Sequence, residues 1–129
     1  MLVMRNEGTP REGEWMEIEI WGTTIRVKVR PKTPKIEDAI RARFKGMKEG
    51  KAKAEAILEA MYDHLVEDIE GLGEEAADGS VSHVEINLDS KKKLLHMPVP
   101  SGEEAILVRV VNKANELGFQ VVEEQQKNS

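Results

Sequence analysis

From Glu14 to Arg30 polar and apolar positions alternate with period two. Met16, Ile18 and Ile20 interleave with Glu17 and Glu19, and after Gly22-Thr23 the residues Ile25, Val27 and Val29 interleave with Arg26, Lys28 and Arg30. Two such runs around a pair with glycine first predict a β-hairpin over 14–30 closed by a type II′ turn. With Gly22 and Thr23 as the loop, Ile20 faces Ile25, Ile18 faces Val27 and Met16 faces Val29 on one side. On the other, Glu19 faces Arg26, Glu17 faces Lys28, Trp15 meets Arg30 and Trp21 meets Thr24. Aliphatic residues then share one face and charged residues the other, because a one-residue slip would exchange the faces. Opposed acids and bases predict a solvated face of ion pairs.

After Pro31 the pattern changes to three-four spacing. Thr33-Pro34 reads as an N-cap followed by proline at the first helical position, opening a helix over 34–45 with Ile36, Ile40 and Phe44 on one face. A second helix is expected over 51–70, with Ala54, Ile57, Leu58, Met61, Leu65 and Ile69 as its stripe and Gly71 as its stop. Val84, Ile86 and Leu88 alternate with polar residues, predicting a short strand near 83–88. Asp89 or Ser90 is expected to cap a short helix ending at His96. Ser101-Gly102-Glu103-Glu104 has the form of a capping box opening a last helix to Leu117, with Gly118 as its left-handed cap and Phe119 closing the motif. Residues 1–13 read as a flexible lead and 123–129 as a solvated tail, leaving one α+β domain over 14–122.

The chain is 129 residues long, enough for a single core without staples. Its zero cysteines exclude a disulfide framework and a thiolate metal site. The first residues have no apolar signal region, and no stretch matches the length of a membrane span, so a cytoplasmic protein, in a bacterial host cell, is expected. The net charge of −5 is unevenly placed. Residues 1–53 carry +5, residues 54–90 carry −11 with no Lys or Arg at all, and residues 91–129 carry +1. The acidic middle is a poor nucleic-acid surface, so nucleic acid is not expected as a partner.

No pattern of catalytic chemistry stands out. His64, His83 and His96 lack a second histidine at ligand spacing, and His64 with Glu67 or Asp68 makes only one edge of a metal site. Gly46 to Ala52 has the wrong glycine spacing for a phosphate loop and no hydroxyl for magnesium. Lys91-Lys92-Lys93 is a compact basic spot without a stacking platform, since the chain has only five aromatic residues. A non-enzymatic protein with no cofactor and no metal is expected. Trp15 and Trp21 fall on the polar face of the hairpin, where large aromatics serve as interface anchors.

The stretch from Tyr62 through Asp68-Ile69-Glu70-Gly71 and the acidic loop with Asp78-Gly79 to Asn87-Leu88-Asp89-Ser90-Lys91 and Leu95 resembles the tail assembly chaperones of long-tailed bacteriophages and prophages. The resemblance covers about a quarter of the chain. It implies a protein that binds the tape-measure protein, the tail-tube protein or both, and keeps apolar helical surface from aggregating until the tube polymerises. Such a family also implies a frameshifted longer form in some members. The expected partner-binding residues are Trp15, Trp21, Glu67, Asp68, Glu70, Glu74, Glu75 and Asp78, together with the stripe of the second helix. Alternatives are a virion component such as a head-tail connector or tube subunit, assembling as a homo-oligomer, and a small acidic regulatory or inhibitor protein.

Overall fold

The computed structural model describes residues 13–128; apart from Gly13, the lead expected over 1–13 lies outside them, as does Ser129. The elements run β1 (Glu14–Ile20), β2 (Thr23–Val29), α1 (Pro34–Ala42), α2 (Lys51–Leu65), β3 (Val66–Glu70), β4 (Gly73–Glu75), β5 (Val81–His83), α3 (Leu88–Leu95) and α4 (Ile106–Asn128). This is an α+β fold: an antiparallel sheet in the order β1-β2-β3, covered on one face by helices, with β4 and β5 forming a separate two-stranded arm.

The hairpin forms, in a register two positions from the expected one. Ile20 pairs with Thr23, Ile18 with Ile25 and Met16 with Val27, so the loop is Trp21-Gly22. Both loop residues have positive φ, 49° and 72°, as a type I′ turn requires, with glycine second. The faces survive the change because the side-chain period is also two. Ile18, Ile20, Ile25, Val27 and Val29 are all buried on the helix side. The opposed pairs differ, however: Glu17 stands across from Arg26, Trp15 from Lys28, and Glu19 from Thr24.

The second correction concerns residues 66–70. α2 ends at Leu65 and the chain turns straight into β3, which adds to the free side of β2. Arg26 pairs with Glu70, Val27 with Ile69 and Lys28 with Asp68, and then the register jumps so that Val29 pairs with Val66. Glu67 is the extra residue of a β-bulge. Val66 and Ile69 are three apart, so a regular strand would place them on opposite faces; the bulge returns both to the core, where they are 0 % and 5 % exposed. The same three-residue spacing imitates a helical stripe. Each side chain buried in this way contributes roughly 1.5–3 kcal/mol. Gly71, at φ 88°, turns the chain after a strand, not after a helix.

Thr33 caps α1 as its sequence indicates, accepting from the Ile36 N–H at 3.3 Å. α1 ends at Ala42 rather than near 45. Beyond it the N–H groups of Arg43, Phe44 and Lys45 bond three residues back, a tightening that precedes Gly46. The short strand lies at Val81–His83 rather than over 83–88. α3 is capped by Asn87, whose side chain accepts from Ser90 N–H while the Ser90 hydroxyl accepts from Asn87 N–H. Asp89 and Ser90 are thus inside the helix. Ser101-Gly102-Glu103-Glu104 is a turn and not a capping box, because Gly102 sits at φ 88°, outside helical space, and α4 begins at Ile106. Gly118 is not a cap either; α4 continues through it to Asn128, so helix replaces the expected tail over 123–128.

The core lies between the inner sheet face and the helices. Ile40 comes from α1, Met61, Tyr62 and Leu65 from α2, Leu94 and Leu95 from α3, and Ile106, Val110 and Ala114 from α4. In α2 only the C-terminal part of the expected stripe is buried. Leu58 is 49 % exposed and Ala54 is exposed.

Candidate functional site

The outer face of the sheet carries a basic central strand between two acidic ones. Arg26, Lys28 and Arg30 lie on or just beyond β2, Glu17 and Glu19 on β1, and Glu67, Asp68 and Glu70 on β3. The cations lean toward β3. Arg26 Nη1 is 2.9 Å from Glu70 Oε2, Lys28 Nζ is 2.8 Å from Glu67 Oε2, and Arg30 Nε is 3.1 Å from Glu67 Oε1. The bulge accounts for the convergence on Glu67, since it places two carboxylates opposite one lysine.

Glu67 also accepts from the Gly13 N–H at 3.3 Å. The hydrogen bond from Lys28, reinforced by Gly13 and Arg30, holds its carboxyl below the usual range against the opposing effect of burial. Of the expected partner-binding residues, Glu67 is therefore a structural clasp between β2 and β3. Asp68 accepts from the Ile69 N–H at 2.8 Å, and Glu70 is exposed while paired with Arg26. Trp15 is half-buried beneath the Arg26 guanidinium, 4.7 Å from its ring centroid, with Lys28 at 5.8 Å.

Because the cations turn to β3, Glu17 and Glu19 are left exposed and make no ion pair with any described residue. The cross-strand pairs expected for them, Glu19 with Arg26 and Glu17 with Lys28, do not form. A third acidic strand, invisible while 66–70 reads as helix, attracts the cations of β2 instead.

Trp21 stands at the hairpin tip, 64 % exposed, with its indole N–H donating to the Pro98 carbonyl at 3.0 Å. Glu74, Glu75 and Asp78 belong to the β4–β5 arm, away from Trp21 in sequence and on a separate sheet. Asp78 Oδ1 accepts from both the Ser80 hydroxyl and its N–H, at 2.6 and 2.9 Å, which holds its carboxyl below the ordinary range. Glu75 is exposed, and Val81 on β5 is 72 % exposed. Beside the root of the arm, a cleft of about 400 Å³ opens against α3, lined by Leu72, Val84, Leu94 and Met97 with Asp89 and Lys93. The sequence-predicted residues thus fall into three places: the outer sheet face, the hairpin tip and the acidic arm.

The basic spot at 91–93 is dispersed by the fold. Lys91 is buried, its Nζ 2.9 Å from Asp63 Oδ1 and 3.0 Å from the Asp63 carbonyl, and Lys92 Nζ is 2.7 Å from Glu59 Oε1. Both lysines fasten α3 to α2, and the Glu59 carboxylate raises the pKa of Lys92. His64 lies at the end of α2 with Nε2 buried and without a hydrogen-bond partner. Burial, and then the charges of Arg30, Arg43 and Lys91 against that of Asp63, lower its pKa. Glu67 and Asp68 lie on β3, so the helical pairing with His64 considered from the sequence is absent. Among the described residues no group of three or more His, Asp or Glu side chains is placed to hold a metal ion.

Among the described residues no helix is long and apolar enough to cross a membrane. Comparison with known protein families, with curated proteins and with solved structures finds no match to this chain.

Proposed function

We propose that this protein is a non-enzymatic tail assembly chaperone of a long-tailed bacteriophage or prophage, binding the tape-measure or tail-tube protein in the host cytoplasm. The observation that carries the reading is the organisation of residues 62–95, the stretch that bears the resemblance. The end of α2, β3, the acidic arm and α3 make one connected unit, closed by Lys91 on Asp63 and Lys92 on Glu59. That closure leaves Glu75, Asp78 and Val81 exposed on the arm. An apolar side chain ringed by carboxylates suits the transient holding of a basic amphipathic helix, in which apolar contact supplies affinity and charge supplies orientation.

The test is co-expression of the tagged chain with its neighbouring genes, followed by mass spectrometry of what co-purifies. A long helical tape-measure protein or a tube subunit is expected, and Glu75→Lys with Asp78→Lys should release it. Retention of that partner by the double variant would remove the arm from the interface, and recovery of neither protein would overturn the chaperone reading.

A further inference from the structure

The outer edge of β1 is a second interaction surface, independent of the chaperone reading and of the arm. β1 has a hydrogen-bonded neighbour on one side only. It is seven residues long, contains no proline, lysine or bulge, and so lacks most of the devices that usually blunt an edge. The register specifies which backbone groups are free. A two-residue loop makes Ile20 and Thr23 a hydrogen-bonded pair, so Ile18, Met16 and Glu14 also bond toward β2, and the N–H and C=O groups of Trp15, Glu17 and Glu19 point outward.

The side chains of the same strand specify the occupant. On the inner face Met16 is only half-buried at the margin of a core in which Ile18 and Ile20 are buried, so an added strand would extend that face with apolar residues. On the outer face the carboxylates of Glu17 and Glu19 are exposed and unpaired, because Arg26, Lys28 and Arg30 are drawn to β3. We infer that this edge docks, by strand addition, an extended segment of another protein in which apolar and basic residues alternate. Its basic residues face Glu17 and Glu19, and its apolar residues continue the row of Met16, Ile18 and Ile20. A second copy of this chain is the wrong occupant, since pairing β1 with itself brings both sets of outer carboxylates onto one face, where like charges destabilise the pairing.

The experiment uses the full chain and a capped seven-residue peptide of alternating lysine and valine, Lys-Val-Lys-Val-Lys-Val-Lys, with a glutamate-valine peptide as control. Binding is followed by amide chemical shifts and hydrogen exchange. Saturable binding of the basic peptide is expected, with new protection at the amides of Trp15, Glu17 and Glu19. Glu17→Lys with Glu19→Lys should weaken that binding at least about tenfold and admit the glutamate peptide instead. Glu17→Pro removes an outward N–H without breaking the ladder to β2, so it should keep the fold and abolish binding of either peptide. Failure of the basic peptide to bind, equal binding by the lysine variant, or protection centred on the β4–β5 arm would overturn the inference. A dimer joined through β1 in sedimentation and exchange data would assign the edge to a second copy and overturn it equally.

Discussion

Gly118, inside α4, lies directly against the backbone of Lys32: a Cβ at position 118 would overlap the Lys32 carbonyl, with its carbon at 2.7 Å. The contact is reinforced next door, where the Lys32 N–H donates to the Ala114 carbonyl at 2.9 Å. A strand exit thus crosses a helix at backbone distance, and only a residue without a side chain leaves room for the crossing.

Gly118→Ala is therefore expected to reverse the usual sign of a helical glycine substitution. In an open helix the change stabilises by about 1 kcal/mol. Here it should destabilise by about 2–3 kcal/mol, because backbone must move. Urea denaturation checks it, and an unchanged or raised midpoint would show that Lys32 does not rest on α4.

Glu67→Gln should lower stability by about 1–2 kcal/mol at neutral pH, since Lys28 and Arg30 both lose their carboxylate partner. The folded-state pKa of Glu67 is depressed, so its contribution is complete above the ordinary carboxylate range and is lost as pH falls through the folded value. Stability curves of the two proteins should consequently converge in acid. A constant gap down to pH about 2 would mean that the charge of Glu67 is not what matters.

His64 gives a second pH dependence of a different origin. Its folded pKa lies below the ordinary 6.5, so below that value the unfolded chain takes up a proton that the folded chain resists. Stability attributable to His64 is full above 6.5 and declines as pH falls toward the folded value. Substitution by leucine should flatten this segment of the profile, measured as denaturation midpoints between pH about 7.5 and 5.5. A profile unchanged by the substitution would place the titration elsewhere.

Lys91 separates packing from charge. Lys91→Ala should cost about 1–3 kcal/mol through the lost stem and the lost bonds to Asp63. Lys91→Met keeps the stem volume and should cost less than about 1 kcal/mol, because Asp63 is half exposed and can be hydrated once unpaired. Equal losses in thermal denaturation would show the ion pair, and not the buried stem, to be the fastening between α2 and α3.

Much of this was legible in the chain. Period two over 14–30 specified the hairpin and the face each residue takes, since parity survives a two-position change of register. Thr33-Pro34 marked the start of α1, and the apolar positions from Ile106 to Leu117 marked the buried face of α4. What spacing could not decide is what a residue meets across the fold. Val66 and Ile69 have helical spacing, and only the vacancy beside β2, filled through a bulge at Glu67, makes them strand. The ion pairs of Arg26 and Lys28 followed that strand, which is why Glu17 and Glu19 stand free. Gly102 and Gly118 carry the same residue type in the reverse of their expected roles, the first breaking a motif that resembles a cap, the second admitting Lys32 in mid-helix. Local periodicity determines which face of an element is apolar, because that depends only on backbone geometry. Pairing order, the partners of each charge and the need for a missing side chain depend on elements distant in sequence, and those only the tertiary structure brings together.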